Sequence, residues 1–330
     1  MRATATGLAC VVTFALTSLS ASAEAVTLKL GTLAPQGSTW HLLLKDLAER
    51  FATASGGEVK LKIYAGGTQG AESDMVRKMG VGQLQAALLS NVGLHDVAPE
   101  PILFSAPGML DPGLVATLLP QVAARMERSL EARGYVVLQW VQVGTAYVFC
   151  TRPYRTPEEA AEGKFFAWDG DPGTVAAFQA IGLRPVVLSA TDLVPSLQTG
   201  MITCVTQAPA YVLATRLFEK ASAMVDFPFS YLIGATVVKK ESWEKVAPGL
   251  RPRLLAIARE RAAALNLEIK KLNQDALEAM QAQGLTVVKA DTAAWQAGAE
   301  RAWPVVRGKL VPADFFDDFL ALRAAALKAR

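Results

Sequence analysis

Histidine is nearly absent from this 330-residue chain: His41 and His95 are the only two. Neither stands with a second ligand at a metal-site spacing, so a histidine-built metal centre is disfavoured and a histidine general base has no support. Blocks of like charge are missing as well. Thirty-three basic residues face thirty acidic ones, for a net charge of +3, which leaves no electrostatic footprint for nucleic acid. Several enzyme signatures are absent: the Gly-x-Ser-x-Gly elbow, a phosphate loop ending in Gly-Lys-Ser/Thr, a His-Glu-x-x-His helix, and Gly-x-Gly-x-x-Gly after the first strand. Beyond the N-terminus no apolar run reaches the roughly 20 residues needed to span a bilayer. No repeat and no low-complexity linker divides the sequence. Neither a cofactor nor a metal is expected, and the chain does not read as an enzyme.

Hydrophobic residues, by contrast, make up 52% of the chain and charged residues only 19%. That is too apolar for disorder and ample for large cores, and at about 150 residues per domain the length predicts two domains. Part of the apolar excess is a leader: Met1-Arg2, an apolar stretch from Leu8 to Leu19, and the small-x-small site Ala21-Ser22-Ala23. This is the pattern of a secretory signal cleaved after Ala23, so the mature protein is expected outside the cytoplasm, in the periplasm. Cys10 lies within the leader and lacks the Leu-x-x-Cys context of a lipoprotein. The other two cysteines, Cys150 and Cys204, both fall on predicted strands. In an oxidising compartment they could form a disulfide, and the alternative is a pair of buried small hydrophobes.

From Val26 onward, strand-like and helix-like segments alternate, the α/β signature. Strands are expected at Val26–Gly31, Val59–Ile63, Leu84–Leu89, Tyr135–Val143, Tyr147–Cys150, Lys164–Ala167, Arg184–Leu188, Met201–Val205 and Tyr231–Val238. Ser38 caps a helix carrying Leu43, Leu47 and Phe51; Thr156-Pro157-Glu158-Glu159 and Asp171-Pro172 open two more by cap-then-proline chemistry. Other helices are expected at Ala71–Met79, Leu114–Arg133 with a kink or break at Pro120, Thr191–Thr199, from Pro209, Thr292–Arg307 and Ala313 to the end. The four-residue period from Leu254 to Met280 makes a helix about 45 Å long, enough to brace two lobes. Gly66-Gly67-Thr68-Gln69-Gly70 reads as a turn, Asp169/Asp171 as a loop with an N-cap, and Asp317/Asp318 as a solvated helix face. Trp40, Tyr147, Trp168, Tyr211 and Tyr231 fall near strand ends or helix starts, where open α/β sheets hold ligands.

Five motifs in order resemble the DctP-type solute-binding proteins of tripartite ATP-independent periplasmic (TRAP) transporters. They are Leu28-Lys29-Leu30-Gly31-Thr32-Leu33-Ala34-Pro35 with Gly37-Ser38-Thr39-Trp40; Ser55-Gly56-Gly57-Glu58-Val59-Lys60-Leu61-Lys62-Ile63-Tyr64; Val76-Arg77-Lys78-Met79 with Gly82-Gln83-Leu84; Arg152-Pro153 before the Thr156 cap; and Ser196-Leu197-Gln198-Thr199-Gly200. The resemblance implies an α/β, two-lobe periplasmic binding protein-like fold with a long bracing helix near the C-terminus. Carried over, the first lobe takes residues 24–148 and 227–253, and the second takes 149–226 and 254–330. A small-molecule solute would sit between the lobes, and closure over it would be recognised by the transporter's membrane subunits.

One departure bears on the ligand. Many members carry a Lys-x-Arg-x-Pro strand whose arginine grips a solute carboxylate, and here the stretch is Lys164-Phe165-Phe166-Ala167-Trp168, with Phe166 in the arginine's place. Gln207-Ala208-Pro209 stands where Gln-Glu-Asn-Pro is more usual. The branch resembles treponemal-type proteins that work with a tetratricopeptide-repeat partner. The expected cleft is lined by Trp40, Tyr147, Phe166, Trp168, Tyr211 and Tyr231, with Gln36, Gln69, Asn91, Asp169 and Gln207 orienting polar ends of an apolar or amphipathic ligand. Arg152 and Arg184 read as structural ion pairs. Two other functions remain open: a carboxylate receptor using a different arginine, and a periplasmic sensor or scaffold.

Overall fold

The structure, a computed structural model, describes residues 25–329 apart from 111 and 170; the leader lies outside the described residues. The first elements are β1 (Val26–Thr32), α1 (Thr39–Ala54), β2 (Val59–Tyr64), α2 (Glu72–Gly80), β3 (Ala86–Ser90), α3 (Asn91–His95) and α4 (Val115–Ala132). Next come β4 (Tyr135–Cys150), α5 (Pro157–Ala160), β5 (Lys164–Trp168), α6 (Pro172–Ile181), β6 (Arg184–Leu188), α7 (Leu193–Thr199), β7 (Cys204–Gln207) and α8 (Pro209–Ala214). The chain closes with β8 (Ala223–Lys239), α9 (Lys240–Trp243), α10 (Arg251–Ala282), β9 (Thr286–Val288), α11 (Thr292–Lys309) and α12 (Ala313–Lys328).

One mixed sheet runs β2-β1-β3-β8-β4-β7-β5-β6, with β9 beside β8. Its two long strands, β4 and β8, form an antiparallel ribbon whose ends serve different neighbours. At one end β3 pairs with residues 234–238 of β8; at the other, β7 pairs with residues 147–150 of β4. The remaining parallel strands and their helices gather at these two ends, producing the two-lobe α/β architecture. Each end has its own core. Leu28, Leu30, Leu44, Leu47 and Phe51 cluster at the first, and Phe165, Phe178, Phe227, Phe229 and Trp295 at the second.

The ribbon differs from the two strands expected around Gly144-Thr145. The strand is continuous, with register shifts between Val137 and Gln139, Gln142 and Gly144, and Ala146 and Val148. Gly144 takes φ +118°, a conformation open to glycine, so the chain absorbs an extra residue without leaving the sheet. β8 begins at Ala223, well before the expected Tyr231, even though it contains Pro228. The ladder passes from Ser230 directly to Val225, so the proline lies in a stretch with no β4 partner and removes no donor from that ladder. β7 also starts and ends later than expected, and Pro120 sits inside α4 without dividing it.

α10 spans 32 residues and packs its Leu254, Ala258, Ala262, Leu265 and Ile269 into the first core, while Met280 enters the second half. Two of its asparagines repair the ribbon where its register slips. Asn266 accepts from the Gln142 amide at 2.8 Å and donates to the Trp140 carbonyl at 3.2 Å. Asn273 donates to the Val143 carbonyl at 2.9 Å and accepts from the Ala210 amide of α8 at 3.0 Å. The backbone groups freed by the bulges are thus paired rather than left buried and unsatisfied.

α12 returns to the first half and lies on α4. Phe315, Phe316 and Phe319 pack with Leu118, Val122 and Met126, while Arg125 pairs with Asp314 at 2.6 Å and Asp318 at 3.0 Å. Asp317 pairs with Arg307 at 2.6 Å. Cys150 and Cys204 are register partners between β4 and β7, and their sulfurs form a disulfide with Cα atoms 4.1 Å apart.

Candidate functional site

Where the two ends of the ribbon face each other, they enclose a cavity of about 150 Å³. Its floor is the ribbon itself, at Val141, Val143, Ser230 and Leu232. One wall comes from the first half: Thr32 at the end of β1 and Ala34 after it, Trp40 of α1, Glu72 of α2, and Ser90 and Asn91 at the start of α3. The facing wall comes from the second half: Phe166 and Trp168 of β5, Asp171 and Phe178 of α6, Gln207 of β7 and Tyr211 of α8.

Six residues expected around a ligand line this cavity: Trp40, Asn91, Phe166, Trp168, Gln207 and Tyr211. Trp40 is 4% exposed and donates its indole N–H to the Gln142 carbonyl at 3.3 Å, which leaves its ring as an apolar surface. Phe166 and Trp168, two apart on one strand and so on one face, meet edge to face at 6.3 Å. The other five expected residues lie outside the lining. Gln36 and Asp169 are exposed. Gln69 is held in its turn by Lys78, whose ammonium donates to the Gln69 carbonyl at 2.8 Å. Tyr147 packs with the Phe149 and Leu193 cluster without itself reaching the lining. Tyr231 is buried in the α4–α12 core and donates to Gln142 Oε1 at 2.6 Å.

Glu72 was not among the expected residues, because a glutamate in the first turn of a helix reads as an ordinary dipole partner. The structure buries it. Its Oε1 accepts from the Ser90 amide at 2.7 Å, and Oε2 accepts from the Ser90 hydroxyl at 2.6 Å and the Gly93 amide at 2.9 Å. Position 93 must be glycine, since a Cβ there would stand 2.5 Å from Glu72 Oε2. Burial nevertheless outweighs these three donors and raises the carboxyl pKa to about 7, with Asp96 adding to the shift. Tyr211 faces the same field: burial, then the Glu72 charge, pushes its phenol to about 12. Asp171 is 1% exposed and caps α6, accepting from the Thr174 amide at 2.9 Å and hydroxyl at 2.6 Å.

Asn91 is fully buried; its amide nitrogen donates to the Ser105 hydroxyl, and its Oδ1 has no partner. The Thr206 hydroxyl, on the facing wall, is also buried and unpaired. No lysine, arginine or histidine lines the cavity among the described residues. Arg152 pairs with Glu162 at 3.2 Å, outside it, and Arg184 is exposed at the start of β6. Nor does any hydrogen bond among the described residues join one wall's lining side chains to the other's. The walls meet instead at the β2–α2 turn, where a Cβ on Gly67 would lie 3.3 Å from both Leu33 and Thr191.

A two-walled cavity, apolar, unbridged and resting on a two-strand ribbon, is the arrangement of a binding protein, and comparison gives it a family. The bacterial extracellular solute-binding protein family 7, DctP, matches residues 30–308. The chain belongs to that family. This DctP-family protein is 24% identical over 302 residues to a solute-binding protein of Roseobacter denitrificans, covering 87% of this chain and 89% of the relative. It is 22% identical to the 2,3-diketo-L-gulonate-binding periplasmic protein YiaO of Escherichia coli, covering 82% and 83%. Among solved structures, a TRAP periplasmic solute-binding protein of Sulfurospirillum deleyianum with bound succinate superposes at a TM-score of 0.82 with 20% identity, covering 90% of this chain and 99% of that one. One of Xanthobacter autotrophicus with bound β-D-galacturonate gives 0.83 at 16% identity, covering 90% and 99%. The DctP-family chain is therefore a solute-binding receptor and not an enzyme. Among its described residues, no helix is long and apolar enough to cross a membrane.

Proposed function

We propose that this DctP-family protein captures a small neutral or amphipathic organic solute in the cavity, closes over it, and presents the closed form to the membrane subunits of a TRAP transporter in the periplasm. One observation carries the reading. The cavity has two nearly independent walls, each satisfying most of its own polar groups, so a ligand touching both supplies the differential affinity that favours closure. The moving bodies are the two ends of the ribbon with the elements gathered at each, the chain crossing between them near Val148 of β4 and Phe227 of β8, where the register slips; the first half of α10, packed in the first core, belongs to the first body. α12, packed on α4, would tie the second body to the first on the side away from the cavity. Cleavage after Ala23 would release the mature chain.

The relatives above were found with succinate, galacturonate or a diketo-gulonate name, all acidic solutes. Among the described residues, the cavity offers no arginine or lysine to such an acid, and a carboxylate buried there would be an unpaired charge. A tetratricopeptide-repeat partner fits the same apolar character and is tested by co-purification. For the receptor itself, native mass spectrometry of the purified protein should reveal a non-covalent small molecule. Small-angle scattering should then show the radius of gyration contracting when that molecule is returned to stripped protein. No retained solute and no contraction would defeat the reading.

A further inference from the structure

The charged side chains lining the cavity are both anionic. Glu72 and Asp171, one from each wall, are 5% and 1% exposed, and neither forms an ion pair among the described residues. A buried carboxylate is ordinarily paired; Glu72, raised to about 7 by burial, is only part-ionised at neutral pH, while Asp171 on the facing wall has no cation among the described residues to match it. Their remaining capacity differs. A carboxylate has about four acceptor positions; Glu72 uses three on Ser90 and Gly93, whereas Asp171 uses two on Thr174. Asp171 is therefore the better placed for direct contact, and Glu72 contributes mainly its field. Independently, Asn91, fully buried in the lining, leaves its Oδ1 acceptor without a donor. Among the aliphatic side chains of the lining stand the aromatics Trp40, Phe166, Trp168 and Tyr211, ring systems of the kind that attract cations as well as hydrocarbon.

We propose that the solute is a small organic cation, its ammonium group held by Asp171 and Asn91 in the field of Glu72 and its hydrocarbon part lying on Trp40, Phe166 and Trp168. This rests on the receptor reading and narrows its substrate class. An acid would bring a further negative charge to a site without a counterion, while an alcohol could use the acceptors but not the charge.

A matched set of probes tests it: phenethylamine, protonated at neutral pH, against 2-phenylethanol and 3-phenylpropionate, titrated calorimetrically into the stripped protein at constant ionic strength. The amine is expected to bind at least tenfold more tightly than the alcohol, with the carboxylate weakest. Asp171→Asn, which keeps the helix cap, should reduce the amine's lead over the alcohol below threefold. Glu72→Gln should reduce the lead less. The proposal is overturned if the carboxylate matches the amine, if the amine has no lead over the alcohol, if Asp171→Asn leaves the lead intact, or if none of the three binds. Failure of the receptor reading is distinguishable: a carboxylate retained in native mass spectrometry with contraction on rebinding would keep the receptor and discard the cation, whereas no retained solute and no contraction would discard both.

Discussion

The two walls of the cavity are built by different means. The first is organised by hydrogen bonds: Glu72 collects two amides and a hydroxyl, and thereby fixes the start of α3 against α2. The second is organised by ring packing and a crosslink: Phe165, Phe178, Phe229 and Trp295 meet at 5.6–6.1 Å between centroids, behind the Cys150–Cys204 disulfide. A wall held through a buried carboxylate is sensitive to protons, and a wall held by rings and a disulfide is sensitive to reductant. The same cavity thus has two separable vulnerabilities.

The largest effect should come from breaking the second wall's crosslink. The disulfide closes a loop of sequence separation 54, for which chain-entropy reasoning gives about 4 kcal/mol. The Cys150→Ser/Cys204→Ser variant should lose several degrees of Tm, with hydrogen exchange rising in β5 to β7 and little changed in β1 to β3; uniform acceleration would contradict the division. Next is the first wall's response to pH. Glu72 has a folded-state pKa of about 7 against 4.5, so between those values the native state binds more protons than the unfolded state and stability falls as pH rises. The span is about 3 kcal/mol at 1.4 kcal/mol per unit. Its contribution is present below about pH 4.5 and lost as pH passes 7, and Glu72→Gln should flatten the Tm profile between pH 5 and 8.

A smaller effect belongs to the ribbon joining the walls. A Cβ on Gly144 would stand 2.4 Å from Asn273 Nδ2 at φ +118°, so Gly144→Val should cost about 2 kcal/mol by denaturant melt. Asn273→Ala, which relieves that crowding, should make the two changes non-additive. The smallest is at the mouth. Gly67→Ala puts a methyl group 3.3 Å from Thr191 and should weaken phenethylamine binding severalfold by holding the walls apart, read by calorimetry.

Much of the fold was legible in the chain because caps and periodicity are local. Ser38, Thr156 and Asp171 each cap the helix expected of them, and the stripe from Leu254 to Met280 is the buried face of α10. The ribbon was harder. Gly144 and Pro228 each signal a strand end locally, and only the partner strand's register explains why neither is one. The site divided along a similar line. Of the aromatics picked out by type and position near strand ends or helix starts, Trp40, Trp168 and Tyr211 line the cavity and Tyr147 and Tyr231 do not, while Phe166 came from the family resemblance. Glu72 was not, since its role depends on Ser90 and Gly93, about twenty residues away. Asn266 and Asn273 did leave a trace: two asparagines seven apart on an otherwise apolar helical face mark a place where a backbone needs partners.

The return of α12 to α4 has a consequence for how the protein is made. Residues near 320 complete a core begun near residue 120, so the first half stays unfinished until α12 has joined it. Contacts of such long sequence separation form late and slowly. A first half whose apolar α4 face waits for α12 therefore offers chaperones a binding surface for most of the time the protein takes to fold.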